Sequence, residues 1–113
     1  GYTLLWGTSS GLAIMPALKR KLPFDPQRDF APVSLGAKVS WVLAVHPSVP
    51  ASNVKELVAL AKRHPGKLNF ASAGTGGAPH LAGELFKVTA GIDVMHIPYR
   101  GTALFAVDLV AGQ

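Results

Sequence analysis

From residue 41 onward the chain alternates strand-like and helix-like stretches three times, with proline or glycine between them, and this rhythm restricts the fold more than any other feature. Residues 41–45 form a short β-rich run that Pro47 and Pro50 stop. Ser52 is placed to cap a helix over residues 53–64, in which Val54, Leu57, Val58 and Ala61 recur at i, i+3, i+4 and i+7 as one apolar stripe. Pro65 and Gly66 end that helix. Residues 68–72 read as a strand, 79–90 as a helix and 93–97 as a third strand. Residues 102–111 are apolar apart from Asp108, which predicts a largely buried helix. Strands separated by crossover helices pair in parallel, and their crossovers are right-handed, so the expected fold class is α/β with a parallel sheet.

The first 40 residues lack this rhythm. Residues 2–7 are strand-like, Thr8, Ser9, Ser10 and Gly11 form a turn, and a short helix is expected around Pro16, Ala17 and Leu18. Residues 21–32 hold three prolines and no period, as an extended connector does. Residues 33–37 are strand-like again and are read as part of one bent strand with residues 41–45. This half is expected to belong to a different lobe.

At 113 residues, with 49% hydrophobic and 15% charged side chains, the chain is neither disordered nor fibrous. No apolar run approaches the ~20 residues of a membrane-spanning helix. The opening residues show no signal-peptide pattern, and neither end reads as a natural terminus. A piece of a longer protein is the expectation. Cysteine is absent, which removes disulfides, thiol nucleophiles and Cys-ligated metals. The net charge of +5 comes from 11 basic and 6 acidic residues, and the clusters at Lys19, Arg20 and Lys21 and at Lys62 and Arg63 fall at helix ends, where cations suit the dipole. A continuous basic face with stacking aromatics is not visible, so nucleic acid is not an expected partner.

The stretch "NFASAGTGGAPHLAGELF" (residues 69–86) runs from a strand through Gly74, Gly76 and Gly77 into a helix opening with Pro79. In open α/β sheets ligands settle beyond the carboxyl ends of strands. A helix N-terminus there offers unpaired N–H groups and partial positive charge, and glycine lets an anion approach them. Ser72 and Thr75 add hydroxyls. Two readings stay open on these residues: a carboxylate or phosphate cradle, or a connection that needs glycine only for its shape. Known phosphate loops fit poorly, because no lysine followed by Ser or Thr closes this one, and the glycine spacing is not that of a dinucleotide loop. No serine lies between glycines as a nucleophile elbow requires.

His80 and Glu84 stand four apart on one helix, close enough to share a metal, but no third ligand is evident and a metal site is not expected. They read instead as a surface stripe with Lys87 that supports the helix, and His80 is also near enough to the cradle to donate to a bound anion. Tyr99, beyond the third strand, is a candidate to stack or hydrogen-bond over the ligand, and Gly101 begins a helix whose N-terminus can point into the same crevice. Neither a nucleophile–base pair nor facing carboxylates stand out, so no catalysis and no cofactor are expected.

Four segments, "GYTLLWGTSS", "LPFDPQRDFAPVSL", "HPSVPASNVKELVALAKRHPGKLNFASAGTGGAPHLAGELF" and "HIPYRGTALFAVDLVAGQ", resemble the Bug family of extracytoplasmic solute receptors, related to the tripartite tricarboxylate transporter receptor. The resemblance runs through essentially the whole chain. It implies a type II periplasmic-binding-protein fold, two α/β lobes closing on a small organic anion, usually a carboxylate held by backbone amides, hydroxyls and ordered water. It also implies periplasmic export, with the signal peptide outside this stretch, and delivery of the ligand to membrane transporter subunits. Residues 1–38 would belong to the first lobe and residues 39–113 to the start of the second. The turn from Ser72 to Gly77 matches the second-lobe carboxylate loop, Tyr99 to Gly101 its neighbour, and Thr8, Ser9 and Ser10 a first-lobe segment facing the crevice. The ligand-binding set expected on these grounds is Ser72, Thr75, Gly76, Gly77, Tyr99, Gly101, Thr8, Ser9 and His80. The family's first ligand loop and its later segments are absent here, which would leave sheet edges and apolar surface open to self-association. The rival reading is an enzyme or phosphate-binding module on the same cradle, with His80 as its general base.

Overall fold

Helix α2 (Val54–Arg63) starts one residue later than its sequence suggests, because Asn53 and not Ser52 is its cap. The structure, a computed structural model, describes residues 2–113. Asn53 is extended, and its Oδ1 accepts the Glu56 N–H at 3.0 Å while Glu56 Oε2 accepts the Ser52 N–H at 2.7 Å. Both residues can cap, but only Asn53 stands three before Glu56, and its Nδ2 also donates to Glu56 Oε1 at 2.8 Å, a two-way pairing that settles the start. At the other end Gly66 takes a left-handed φ of 69° and donates its N–H to the Asp93 carbonyl at 3.0 Å, tying the exit of α2 to the approach of the second strand.

Strand β1 (Asn69–Ser72) pairs in parallel with β2 (Met95–Pro98), with Phe70 opposite His96 and Ser72 opposite Pro98. Helix α3 (Ala78–Ala90) is the crossover between them. Gly91, left-handed at φ 62°, closes α3: its N–H reaches the Val88 carbonyl at 3.4 Å, and the Ile92 N–H reaches the Lys87 carbonyl at 3.1 Å. These two hydrogen bonds satisfy the Lys87 and Val88 carbonyls and turn the buried Ile92 under the helix. The core is small: Ala61, Ile92 and Val94, with Val58, Leu68, Phe70, Phe86 and Ala90 packed around them. Helix α4 (Thr102–Val110) follows β2. Near the start of the chain a π-helical turn (Ser10–Ile14) runs into the one-turn helix α1 (Met15–Leu18).

The parallel β1–α3–β2 unit agrees with the α/β reading, and α2 and α4 stand where the apolar periodicity puts them. Two expectations are corrected. Residues 2–7, 33–37 and 41–45 carry no regular secondary structure and make no ladder, so the sheet has two strands among the described residues. A β-rich run becomes a strand only where another backbone meets its N–H and C=O groups. Here Trp6 instead lies over Gly36, where a Cβ would collide with the indole. Helix α4 is not buried: Leu104, Val107 and Val110 are all more than half exposed, because no second layer covers that side of a two-stranded sheet. The radius of gyration of 17.1 Å exceeds the roughly 13 Å of a closed domain of this length, in keeping with the uncovered surfaces.

Candidate functional site

The register of the sheet sets the floor of the site. Phe70, Ser72 and His96 share one face because side chains two apart on a strand point the same way and Phe70 opposes His96. Their rings stack at 4.8 Å, and His80, from the first turn of α3, stacks on the other side of His96 at 4.0 Å. Helix α3 lies this close because Gly83 meets the Phe70 ring with no side chain between them.

Above this stack sits the glycine turn. Gly74 (φ 145°) and Gly76 (φ 80°) take conformations open chiefly to glycine, and Gly76 is buried. The turn is held from below at two points. Ser72, 1% exposed, donates its hydroxyl to the Gly74 carbonyl at 3.0 Å and lies 2.7 Å from His96 Nε2. With the hydroxyl proton on Gly74, Ser72 Oγ accepts from the Nε2–H of His96. The Gly76 N–H donates to His80 Nδ1 at 3.1 Å, which leaves the proton of a neutral His80 on Nε2, 3.9 Å from Glu84. Glu84 is itself paired with Lys87 at 3.0 Å, so the stripe of His80, Glu84 and Lys87 read from the sequence exists on α3.

The turn forms one wall of a cleft of about 470 Å³. The opposite side comes from Ser10, Gly11 and Met15 near the start of the chain and from Trp41, with Thr102, the first residue of α4, at the edge. Ser10 crosses the sequence to accept the Ala78 N–H at 3.0 Å, and so occupies one of the unpaired donors at the start of α3. The Thr75 N–H has no partner among the described residues and lies in the wall. No lining side chain is charged. Such a site offers backbone N–H groups, hydroxyls and two helix N-termini to a ligand, and an aromatic and a thioether to its apolar part.

Of the residues expected at the site, Thr75, Gly76 and Gly77 line the cleft, and Gly101 immediately precedes Thr102. Ser72 lies beneath the turn with its hydroxyl engaged. His80 also lies beneath it, as an acceptor from the backbone instead of a donor to a ligand. Tyr99 turns away: its hydroxyl donates to Asp108 at 2.7 Å and its ring packs edge-on against Phe105, and that hydrogen bond raises the phenol above its ordinary pKa. Thr8 precedes the helical segment and its hydroxyl oxygen accepts the Gly11 N–H at 3.4 Å, while Ser9 is exposed outside the lining. Ser10, Trp41 and Thr102 line the cleft but are not in the expected ligand-binding set. Ser10 is legible as the end of the first-lobe segment expected to face the crevice and Thr102 as the first helical residue after Gly101, whereas Trp41 carries no such signal. No group of three or more metal-ligating side chains occurs among the described residues.

Burial, and next the positive charge that His80 can carry, hold the His96 imidazole below its ordinary pKa. The folded state therefore binds fewer protons than the unfolded chain once pH falls below about 6.5. This contribution to stability is whole above that pH and is lost as pH drops toward the lowered folded value. Urea midpoints should fall on acidification from about pH 7.5 to about pH 5.5, and His96→Gln should flatten the slope. An unchanged slope in the variant would show that the stack does not carry the dependence.

The whole chain, residues 1–113, matches the profile of the tripartite tricarboxylate transporter family receptor. A UPF0065 protein of Bordetella pertussis is 41% identical over all of this chain and 35% of its own length. Protein BugT of the same organism is 36% identical over 99% of this chain and 35% of its own length. The chain thus spans about a third of the curated relatives it matches. Among solved structures, one described as a periplasmic transporter superposes with a TM-score of 0.88 at 42% identity, over 95% of this chain and 36% of the other. An R. palustris protein solved with adipate superposes with a TM-score of 0.76 at 35% identity, over 82% and 31%. The sequence, the β1–α3–β2 unit and the uncharged cleft at its carboxyl end lead to one conclusion: the chain belongs to the tripartite tricarboxylate transporter receptor family.

Proposed function

We propose that this chain supplies one wall and part of the facing wall of the ligand cleft in a periplasmic receptor, which captures a small organic carboxylate and delivers it to a tripartite transporter. The observation that carries the reading is the cleft itself, with Thr75, Gly76 and Gly77 beside the N-termini of α3 and α4 and no carboxylate or cation in its lining. Dipoles and N–H groups favour an anion there, while an uncharged lining lets it leave again. The adipate in the R. palustris relative supports a carboxylate ligand. Residues 1–38 as part of one lobe and 39–113 as the beginning of the other are supported by a cleft to which the first stretch brings Ser10, Gly11 and Met15 and the second brings Trp41, residues 73–77 and Thr102. In this scheme Thr75, Gly76, Gly77, Ser10 and Thr102 touch the ligand, and Ser72 and His80 support the turn.

An enzyme using His80 as general base has less behind it. Its Nδ1 is taken by the Gly76 N–H, its Nε2 faces Glu84, and it does not line the cleft. The test is a thermal-shift screen of the full-length protein with acetate, succinate, adipate and citrate, and phosphate as control. A ligand that binds the native state at about 100 times its Kd adds about 2.7 kcal/mol of stability, a shift of several degrees. A response to at least one carboxylate and none to phosphate is expected. A response to phosphate alone, or to nothing at millimolar concentration, overturns the receptor reading.

A further inference from the structure

The glycine turn has one hydrogen bond whose acceptor can be switched off by a proton. Gly76 presents its N–H downward to His80 Nδ1 at 3.1 Å, and the bond is partly buried. Its acceptor sits in a stack, His80 on His96 at 4.0 Å and His96 on Phe70 at 4.8 Å, so the imidazole cannot swing aside without breaking the packing of α3 on the sheet. Ser72, hydrogen-bonded to His96 and to Gly74, supports the same turn two residues earlier.

We propose that His80 is the positioning residue of the ligand turn, holding Gly76 as a neutral acceptor, and that protonation of its Nδ1 frees the turn and weakens ligand binding. A proton on Nδ1 puts two donors face to face, and the buried N–H of Gly76 is then left without a partner. Imidazole is the side chain that exchanges its proton near neutral pH. The charged and titratable groups that face it are few. Glu84 and Lys87 come from α3 and neutralise each other at 3.0 Å, and His96 comes from β2. Phe70 from β1 is apolar, and the residues of the helical segment in the cleft, Ser10, Gly11 and Met15, are uncharged. Two stacked imidazoles do not both charge readily, and burial, with the His80 charge next, lowers the His96 pKa. A proton taken up at His80 Nδ1 lands on the atom that holds the turn. A receptor built this way binds at neutral pH and lets go in an acid medium.

This rests on the carboxylate-receptor reading, so the test has one arm with a ligand and one without. In the first, adipate affinity of the full-length protein is measured by calorimetry between about pH 8 and about pH 5.5, a range set by imidazole titration. Affinity should fall roughly tenfold in the parent, the consequence of one lost buried hydrogen bond. His80→Ala should be weakened at all pH values. His80→Asn, whose Oδ1 hangs from Cγ as Nδ1 does and does not titrate, should recover most of the lost affinity with a flatter profile. Titration of the ligand is common to all three and cancels. In the second arm the Gly76 amide proton is followed by NMR in glycine-labelled protein without ligand. It should shift with pH in the parent and stay fixed in His80→Asn. If His80→Ala binds like the parent, if His80→Asn keeps the full slope, or if the Gly76 amide does not titrate, the proposal is wrong. If the amide titrates as expected but no carboxylate binds at any pH, the positioning of the turn by His80 stands and the receptor reading fails.

Discussion

Gly76→Val is expected to remove carboxylate binding from the full-length receptor while leaving it folded. Gly76 sits at φ 80°, a region where a β-branched side chain costs on the order of 1–3 kcal/mol. A Cβ built there lies 3.3 Å from Leu18 Cδ1 and 3.8 Å from the Met15 sulfur, so the side chain grows into the cleft between the turn and α1. To relieve the strain the turn must rotate, and rotation carries the Gly76 N–H off His80. Strain, obstruction and the lost bond all act on the bound state. Each 1.4 kcal/mol is tenfold in affinity, so a loss of roughly 100-fold or more follows, with a fall of only a few degrees in melting temperature. Calorimetry with the carboxylate that responds in the screen checks it, and Gly76→Ala should fall between parent and valine. Binding within a few-fold of the parent would place the ligand somewhere other than this turn.

What the sequence made legible follows from how local each signal is. Helices α2 and α3 show plainly because their information lies within a dozen residues: a capping pair, an apolar stripe, and a Pro-Gly or left-handed glycine stop. The pairing of β1 with β2 is legible at one remove, since a strand, a crossover helix and a strand have one common handedness. The runs at residues 2–7, 33–37 and 41–45 carry the same β-rich composition as β1 and β2, yet pair with nothing among the described residues. Strand propensity states a fitness for pairing and not the presence of a partner. The exposure of α4 has the same origin. Its apolar residues read as buried because such residues commonly are, but burial needs a covering layer, which neither the helix nor its neighbours contain.

The site divides along the same line. Gly76 and Gly77 were findable because a glycine run between a strand and a helix announces an unusual backbone, and Thr75 stood among them. The roles of His80 and Ser72 were not, because an acceptor and a donor look alike in a sequence. Only the register that sets Phe70 against His96, with α3 resting on Gly83, decides which atoms meet. Ser10 reaches Ala78 across 68 positions, a contact that no periodicity encodes. The place of Tyr99 beyond β2 suggests a ligand contact, but Asp108, nine residues on in α4, holds its hydroxyl.

Gly83→Ala sets a local preference against packing, and packing should win. Gly83 lies inside α3, where replacing glycine by alanine ordinarily stabilises a helix by about 1 kcal/mol. Here the new Cβ would collide with the Phe70 ring. The ring has nowhere to retreat: it stacks on His96, the Lys87 ammonium lies 5.8 Å from its centre, and it borders the core of Ala61, Ile92 and Val94. Either α3 lifts from the sheet or the stack shears. Overpacking of this kind costs about 1–3 kcal/mol, which exceeds the gain in helix propensity, and any lift of α3 also withdraws His80 from Gly76. The variant of the full-length protein should therefore melt several degrees below the parent and bind its carboxylate less tightly, although position 83 does not line the cleft. Phe70→Leu in the same chain should return part of the loss, because the two residues share one contact and their effects cannot add. A Gly83→Ala protein more stable than its parent would mean that α3 stands further from β1 than the stack requires, and the support of the turn by His80 and His96 would fall with it.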